Sequence, residues 1–175
     1  MNVSNVVLIG MPGCGKSTVG VLLAKRLGLG FTDTDLIIQQ EVGRTLQAIV
    51  DGEGYEALRR IEGQVLQSLK LQVQVISTGG SAVYSDAAMN HLASDGVVVF
   101  LDIPLAEVRR RIGDSRLRGI SKHPDQSIDD LFRERFELYR RYAQLRVSAD
   151  LQTADQVCEA VVKKLTNHNF IASDQ

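Results

Sequence analysis

The stretch VVLIGMPGCGKSTVGVLLAKRL, residues 6–27, decides the fold of this chain. Its first four residues are apolar and mostly β-branched, which predicts a buried strand. A glycine-rich loop beginning at Gly10 follows and satisfies the pattern G-x-x-x-x-G-K-[ST]. From Lys16 onward, apolar residues recur at helical spacing, with Val19, Leu23 and Leu27 on one stripe. The order strand, loop and helix therefore predicts a phosphate-binding loop in its proper structural context.

Each position of this loop has a chemical reason. Glycines let successive backbone N–H groups point inward, where they and the helix start hold phosphate oxygens. The lysine adds a positive charge between the β- and γ-phosphates, and the hydroxyl after it suits Mg²⁺. We therefore predict ATP and Mg²⁺ as cofactors; the alternative is a glycine turn that caps a helix by chance. The predicted nucleotide-binding residues are Gly13, Cys14, Gly15, Lys16, Ser17 and Thr18.

Apolar strand-like runs alternate with helical segments along the whole chain, which predicts an α/β fold with a parallel sheet between helical layers. The predicted strands are 6–9, 30–32, 73–77, 97–102 and 146–149. The predicted helices are 16–27, 36–42, 46–51, 55–69, 85–93, 105–112, 128–145 and 154–165.

The 175 residues fit one domain, which we predict over residues 1–166. Within it, the Gly-, Ser- and Asp-rich segment 113–126 predicts a mobile loop, and 167–175 predicts a flexible C-terminal tail. Two cysteines, Cys14 and Cys158, lie far apart and are predicted to be free thiols. With no long apolar run and no signal-peptide pattern at the N-terminus, we expect a cytoplasmic location.

Charge is unevenly distributed, although the formal net charge is only -1. Of the 20 Lys and Arg residues, 11 lie between Arg109 and Arg146. Such a run is either a solvated helical face or a cationic rim over an anionic ligand. The balanced net charge argues against a surface that coats nucleic acid.

Three further motifs follow the phosphate loop in order: FTDTD at 31–35, GEGYEALRRIE at 52–62 and STGG at 77–80. Together with the loop they resemble the shikimate kinase family, from about residue 6 to residue 147. The resemblance implies a P-loop NTPase of the nucleoside monophosphate kinase-like group, a three-layer sandwich with a five-stranded parallel sheet and a lid over ATP. It also implies transfer of the ATP γ-phosphoryl group to shikimate, giving shikimate 3-phosphate, in aromatic amino-acid biosynthesis.

Two acids close the second predicted strand, and alternation along an extended chain would send both carboxylates to the same side. The resemblance implies that Asp33 orients Mg²⁺, while Asp35 binds the acceptor hydroxyl and acts as the general base. The alternative is a helix N-cap, which Asp35 would also suit.

Two arginines match positions that grip the acceptor carboxylate in the family, Arg59 and Arg135. A planar guanidinium fork suits bidentate carboxylate recognition. Glu62 shares a helical face with Arg59 and could hold it in place, whereas Arg60 is expected to be solvated. A glutamate, Glu137, stands where the family carries proline, which predicts a continuous helix there.

The end of the third predicted strand is another expected acceptor site. Backbone N–H groups of Gly79 and Gly80 could approach the acceptor or γ-phosphate, and Ser81 stands where the family carries a third glycine. The alternative is a simple strand-to-helix turn. In the predicted lid, either Arg116 or Arg118 is expected to stabilise the transferring phosphate, although the family proline after the arginine is absent.

The expected partners are ATP and shikimate or a similar carboxylated alcohol, with no nucleic acid and no membrane, and the expected state is a monomer. Because Ser81 and the missing prolines depart from the family pattern, a kinase of the same fold for another small acid or polyol, such as gluconate, remains an alternative. A nucleotide-binding module without turnover is a third interpretation, but the presence of Lys16, Ser17, Asp33 and Asp35 argues against it.

Overall fold

The structure is a computed structural model that describes residues 4–112, 120–150 and 153–171. Five strands form one sheet in the order β2-β3-β1-β4-β5, and all of the strand pairs are parallel. The strands are β1 (Asn5–Ile9), β2 (Gly30–Asp33), β3 (Gln74–Ser77), β4 (Gly96–Asp102) and β5 (Leu145–Ser148). The predicted α/β fold with a five-stranded parallel sheet is confirmed.

Eight α-helices connect and cover the strands in the described part of the chain, together with one 3₁₀ helix at Ala82–Tyr84. The first four helices are α1 (Lys16–Leu27), α2 (Thr34–Val42), α3 (Leu46–Glu53) and α4 (Tyr55–Ser68). The others are α5 (Asp86–Ser94), α6 (Leu105–Ile112), α7 (Ile128–Tyr142) and α8 (Ala154–Asn167).

Helices form a layer on each side of the sheet. Helices α1 and α8 pack against each other and onto the strands, whereas α4, α5 and α7 pack around the 3₁₀ helix and β4. Crossovers between parallel strands are right-handed, so the direction of each step across the sheet decides which face its helix covers. The chain steps towards one edge of the sheet from β1 to β2, and towards the other edge from β2 through β3 and β4 to β5. The helix that follows β1 therefore lies on one face, and the helices that follow β2, β3 and β4 lie on the other. The result is the predicted three-layer sandwich.

Burial of the strands follows their position in the sheet. All five residues of β1 are buried, and β4 is buried from Gly96 to Leu101. The edge strand β5 alternates between buried and exposed residues, and the opposite edge strand β2 is half-buried throughout. Central strands covered on both faces read as continuous apolar runs, which is why the sequence identified them.

Several boundaries differ from the sequence prediction. Helix α7 ends at Tyr142 instead of residue 145, because Leu145 begins β5 and pairs with Val99. Helix α2 begins at Thr34, two residues earlier than predicted. The helix is continuous through Glu137, as the absence of the family proline predicted.

The C-terminal tail also differs from its prediction as a flexible segment. Helix α8 includes Asn167, and the backbone N–H of Phe170 then donates to the carbonyl of Leu165 at 2.9 Å. Ile171 is buried in the main core. The chain is therefore held in place as far as Ile171, because these two apolar residues pack on the core; residues 172–175 lie outside the described ranges. Among the described helices, none combines the length and apolar character needed to cross a bilayer.

Candidate active site

A cavity of about 630 Å³ opens at the carboxyl ends of the central strands. This edge is where ligands bind in open parallel α/β sheets. Its walls come from the phosphate loop, the start of α2, α4, the turn after β3, α7 and residues 120–121. The predicted site residues that line it are Gly13, Gly15, Lys16, Ser17, Thr18, Asp33, Asp35, Gly79, Gly80, Ser81 and Arg135.

The phosphate loop leaves the start of helix α1 free of protein groups that would compete for an anion. Gly13 and Gly15 have φ of 77° and 98°, the left-handed region that favours glycine. Gly15 is the N-cap of α1, no side chain caps that end, and no acid lies in the first turn. Unpaired N–H groups at a helix start favour phosphate oxygens, as the sequence motif predicted.

Lys16 folds back over the loop and is buried. Its ammonium group donates to the carbonyl oxygens of Gly10 at 2.8 Å and Met11 at 3.0 Å. These carbonyls are neutral, and within the described ranges no carboxylate forms an ion pair with the ammonium group. The ammonium group is therefore positioned to exchange weak partners for phosphate oxygens.

Two hard oxygen ligands meet beside Lys16. The Ser17 hydroxyl donates to Oδ2 of Asp33 at 2.7 Å and lies 3.3 Å from the Ser77 hydroxyl. Hydroxyl and carboxylate oxygens are the groups that Mg²⁺ prefers. The pair fits the predicted metal site, and Ser77, which the sequence analysis did not assign, adds a third oxygen next to it.

Cys14 differs from the other predicted loop residues because its side chain does not line the cavity. The thiol is buried in the core next to Gly10, and its sulfur lies 3.7 Å from the Lys16 ammonium nitrogen. Only the backbone of Cys14 is therefore placed to meet a nucleotide. Both cysteines are buried free thiols, as predicted.

The two acids of the 31–35 motif are not both on a strand. Strand β2 ends at Asp33, which caps helix α2 by accepting from the Asp35 backbone N–H at 3.0 Å. The residue that serves as N-cap is therefore Asp33 and not Asp35. Asp35 lies in the first helical turn, yet both side chains line the cavity, because the helix begins exactly where the strand reaches the sheet edge.

The surroundings of Asp35 shift the pKa of its carboxyl group. Burial and the neighbouring Asp33 raise its pKa above the ordinary value, while the Lys16 charge opposes the rise. A carboxylate with a raised pKa is a stronger base than one free in water. The arrangement suits a group that accepts a proton from a bound hydroxyl.

Gly79 lies where two carboxyl groups approach the backbone. A Cβ at this position would lie 2.3 Å from Oε1 of Glu62 and 2.7 Å from Oδ1 of Asp35, so no larger residue fits without displacing them. Its N–H donates to the Thr34 hydroxyl at 3.2 Å. This N–H is therefore engaged within the protein, contrary to the expectation that it faces a ligand.

Glu62 lies inside the cavity wall instead of supporting Arg59. It is 2% exposed, and Oε2 accepts a short hydrogen bond from the Ser81 hydroxyl. The predicted contact with Arg59 is wrong, because Glu62 faces the end of β3 whereas Arg59 lies at the rim of the same helix. Burial, opposed in part by the Ser81 hydrogen bond, raises the pKa of Glu62 to about 7.

Arg135 is a buried cation without an acid partner. It is 1% exposed, and Nη2 donates to the Ser121 carbonyl at 2.6 Å. No carboxylate in residues 4–112, 120–150 and 153–171 lies within 4.0 Å of its guanidinium nitrogens. Because burying a charge without a counterion is costly, this guanidinium points to an anionic ligand in the cavity it lines.

Arg59 lies beside the main cavity and not in its wall. Its guanidinium carbon is 3.5 Å from the centre of the Tyr84 ring, and Nη2 donates to the Ser121 carbonyl at 3.3 Å. Both predicted clamp arginines thus share the carbonyl oxygen of Ser121. Arg60, the next residue along the helix, is exposed as expected.

Most of the other arginines of the cationic segment support the simpler interpretation of its charge, because they pair with carboxylates. Arg111 is the exception, since it also donates to the Gly13 carbonyl of the phosphate loop at 3.3 Å. The pairs are Arg109 with Asp129, Arg110 and Arg111 with Glu107, Arg133 with Asp130, Arg140 with Glu137, Arg141 with Asp86 and Arg146 with Asp102.

Only part of the predicted lid can be compared with the structure. Arg116 and Arg118 lie outside the described residues. Residues 120–126 contain no helix or strand, but Ser121 is buried and its hydroxyl donates to the Tyr55 carbonyl at 3.1 Å. This end of the segment is anchored, contrary to the prediction of a mobile loop throughout.

Besides Ser77, three residues of the site were not assigned a role from the sequence: Tyr84, Ser121 and Tyr139. The first stacks on Arg59, the second bonds both clamp arginines, and the third donates its hydroxyl to the Gly80 carbonyl at 2.7 Å. Local spacing does not reveal these contacts, because each joins residues at least 25 positions apart, except the Ser121–Arg135 contact.

The fold and the cavity together define the class of this protein. A five-stranded parallel sheet with a phosphate loop after β1 is the architecture of P-loop proteins of the nucleoside monophosphate kinase-like group. Buried acids, and a buried guanidinium that has no carboxylate partner among the described residues, complete a cavity suited to a small anionic acceptor.

Comparisons with known proteins narrow the class to a family. The family model described as shikimate kinase matches residues 12–166. A shikimate kinase of Mycobacterium marinum is 40% identical over 163 residues, covering 91% of this chain and 88% of that protein. The chain belongs to the shikimate kinase family.

Solved structures agree with this assignment. A shikimate kinase from Acinetobacter baumannii in complex with shikimate superposes with a TM-score of 0.87 at 28% identity, covering 97% of this chain and 96% of that one. A shikimate kinase from Aquifex aeolicus gives a TM-score of 0.80 at 34% identity, covering 97% and 99%.

Proposed function

We propose that this chain transfers the γ-phosphoryl group of ATP to a ring hydroxyl of shikimate, giving ADP and shikimate 3-phosphate in aromatic amino-acid biosynthesis. Membership of the shikimate kinase family and the full-length likeness to its solved structures support the reaction. The observation that carries the acceptor is Arg135, a buried guanidinium without a carboxylate partner in the described chain, which lines the same cavity as the phosphate loop.

The nucleotide half of the reaction uses the loop. Backbone N–H groups at the start of α1 would hold the phosphates, and Lys16 would leave its two carbonyl partners for the β- and γ-phosphate oxygens. Ser17 and Asp33 are the residues that would hold Mg²⁺. When bound, the ion neutralises charge on the phosphates.

The acceptor half of the reaction uses Asp35. Its carboxylate would take the proton of the acceptor hydroxyl as that oxygen forms a bond to the γ-phosphorus. The bond from phosphorus to the β,γ-bridging oxygen breaks, and this oxygen leaves with ADP. Burial of the site helps to keep water from competing with the hydroxyl.

The acceptor carboxylate would lie between Arg135 and Arg59. The Ser121 carbonyl oxygen already accepts hydrogen bonds from both guanidiniums, and it stands in for a carboxylate oxygen there. Two cations that can share one oxygen ligand can also hold one carboxylate. This supports the proposed clamp, although Arg59 must turn towards the cavity to complete it.

ADP release coupled to a reporter enzyme tests the function, with shikimate, gluconate and nucleoside monophosphates as acceptors. We expect ADP release well above the ATP-only rate with shikimate alone. Release with gluconate but not shikimate would favour the kinase for another small acid. ATP binding without release for any acceptor would favour a module without turnover.

Replacement of Arg59 by lysine tests its place in the clamp. Because lysine keeps the charge but loses the planar fork, we expect the KM for shikimate to rise about tenfold or more. The KM for ATP should stay within about twofold, because Arg59 makes no contact with the phosphate loop. Steady-state kinetics with each substrate varied in turn provide the measurement.

The matched control is Arg60→Lys, at the neighbouring exposed position, which should leave both KM values unchanged. An equal rise of both KM values in Arg59→Lys would show that Arg59 does not bind the acceptor.

We further propose that Arg116 or Arg118 stabilises the transferring phosphate. A monomer in the cytoplasm is the state and location that we propose for the protein. The free thiols of Cys14 and Cys158 suit a reducing compartment.

A further inference from the structure

One buried polar atom in the cavity wall has no use in the mechanism above. Oε1 of Glu62 is buried and has no hydrogen-bond partner among the described residues, while Oε2 accepts from Ser81. An unpaired oxygen of a buried carboxyl group costs stability unless something satisfies it. Glu62 lines the main cavity, so a ligand there can supply the missing donor.

The position of this oxygen relative to Asp35 limits what the donor can be. Oε1 of Glu62 and Oδ1 of Asp35 both lie within 2.7 Å of the point where a Cβ at Gly79 would stand. The two oxygens therefore lie beside each other at Gly79, and all three residues line the cavity. Hydroxyls on adjacent carbons of a ring are spaced to meet two such acceptors at once, one each.

Ser81 determines which oxygen of Glu62 is free. Its hydroxyl bonds Oε2, and this contact leaves Oε1 on the side of Gly79 and Asp35. A glycine at this position would have no side chain that could make the bond.

We propose that Ser81 is a positioning residue that turns the free oxygen of Glu62 towards a second acceptor hydroxyl, adjacent to the one that Asp35 binds. The inference rests on the proposed function and specifies its acceptor as a vicinal diol. The site then discriminates against acceptors that lack the neighbouring hydroxyl, because the buried oxygen stays unpaired when they bind.

Charged groups in the cavity and the Ser81 hydrogen bond together set the pH at which Glu62 is protonated, and this can be measured. The charged groups that face Glu62 are Asp35 from α2, Lys16 from α1 and Arg135 from α7. Burial and Asp35 raise the pKa of Glu62, whereas the Ser81 hydrogen bond and the two cations lower it. Loss of the Ser81 hydroxyl therefore moves the pKa higher, and the protonated form persists to higher pH.

The first test compares shikimate with 4-deoxyshikimate, which lacks the hydroxyl next to the reacting one. For Glu62→Gln, measured at a pH above the Glu62 pKa of about 7, we expect kcat/KM for shikimate to fall about tenfold or more, because a charged acceptor is replaced by a neutral one. With 4-deoxyshikimate, wild type and variant should agree within about twofold. Equal losses with both acceptors would overturn the contact between Glu62 and the second hydroxyl.

The second test follows the pH dependence of kcat/KM for shikimate in Ser81→Ala. We expect the acid limb to move to higher pH, whereas Ser94→Ala, an exposed serine at the end of α5, should leave it in place. The Glu62 carboxyl carbon, followed by NMR in ¹³C-glutamate-labelled protein without substrate, should titrate higher in Ser81→Ala. An unmoved Glu62 titration would overturn the positioning role.

Failure of the inference is distinguishable from failure of the proposed function. If wild type phosphorylates shikimate, but Glu62→Gln lowers kcat/KM equally with both acceptors, only the proposed contact with the second hydroxyl is wrong. If wild type neither binds nor phosphorylates shikimate, the proposed acceptor is wrong and the inference falls with it. Melting temperatures of both variants show whether a loss reflects unfolding.

Discussion

Replacement of Asp35 by asparagine is expected to lower kcat by about 10²–10⁴-fold, the range for loss of a positioned general base. Asparagine keeps the size of the side chain but cannot accept the hydroxyl proton at neutral pH. The raised pKa of Asp35, caused by burial and by Asp33, makes the native carboxylate suited to this step. Steady-state ADP release at saturating ATP and shikimate measures the effect.

The substitution should affect chemistry more than binding. Because an amide oxygen still accepts a hydrogen bond from the acceptor hydroxyl, we expect the KM for shikimate to change by less than about tenfold. The matched control is Asp155→Asn, an exposed acid at the start of α8, which should retain wild-type kcat. A kcat of Asp35→Asn within a few-fold of wild type would exclude Asp35 as the base.

Replacement of Lys16 by methionine is the second substitution with a large expected effect. Methionine keeps a long apolar side chain of similar size, so the loss is mainly that of the charge. We expect kcat/KM for ATP to fall about 10²–10³-fold, the range for removal of one preorganised electrostatic contact in an active site. The cause is that phosphate charge developing during transfer is no longer neutralised.

Folding should survive this substitution. The Lys16 ammonium group bonds only backbone carbonyls and the Cys14 sulfur in the described chain, so no buried carboxylate loses a partner. The control is Lys25→Met on an exposed position of the same helix, which should leave kcat/KM unchanged. If Lys16→Met retains near wild-type activity with a normal melting temperature, the proposed role of the loop lysine is wrong.

Contiguous motifs predicted the nucleotide half of the site well. The phosphate loop and the start of α1 follow from the order of strand, loop and helix, whereas the place of Asp33 beside Ser17 was expected only from the family resemblance. Helices α1 and α6 match their predicted bounds, because both have clear apolar periodicity and distinct ends. Local backbone geometry determines these features, so the sequence spacing is enough to infer them.

For the acceptor side of the site, the sequence predicted residues that take part but not the contacts between them. The sequence analysis named Arg59, Glu62 and Ser81, but it paired the first two. In the structure, Glu62 bonds Ser81, and Arg59 stacks on Tyr84. The three residues lie on different turns or elements, and partners at such separations depend on how α4 packs against the end of β3.

By itself, the sequence determined the α/β class and the phosphate loop, because the alternation of apolar runs and the loop motif are patterns of contiguous residues. Only the tertiary structure decided that Ser121 bonds both arginines, and that within the described part of the chain Arg135 is buried without an acid partner and one oxygen of Glu62 is unpaired. Burial and pairing depend on packing between elements distant in sequence, which no local pattern specifies.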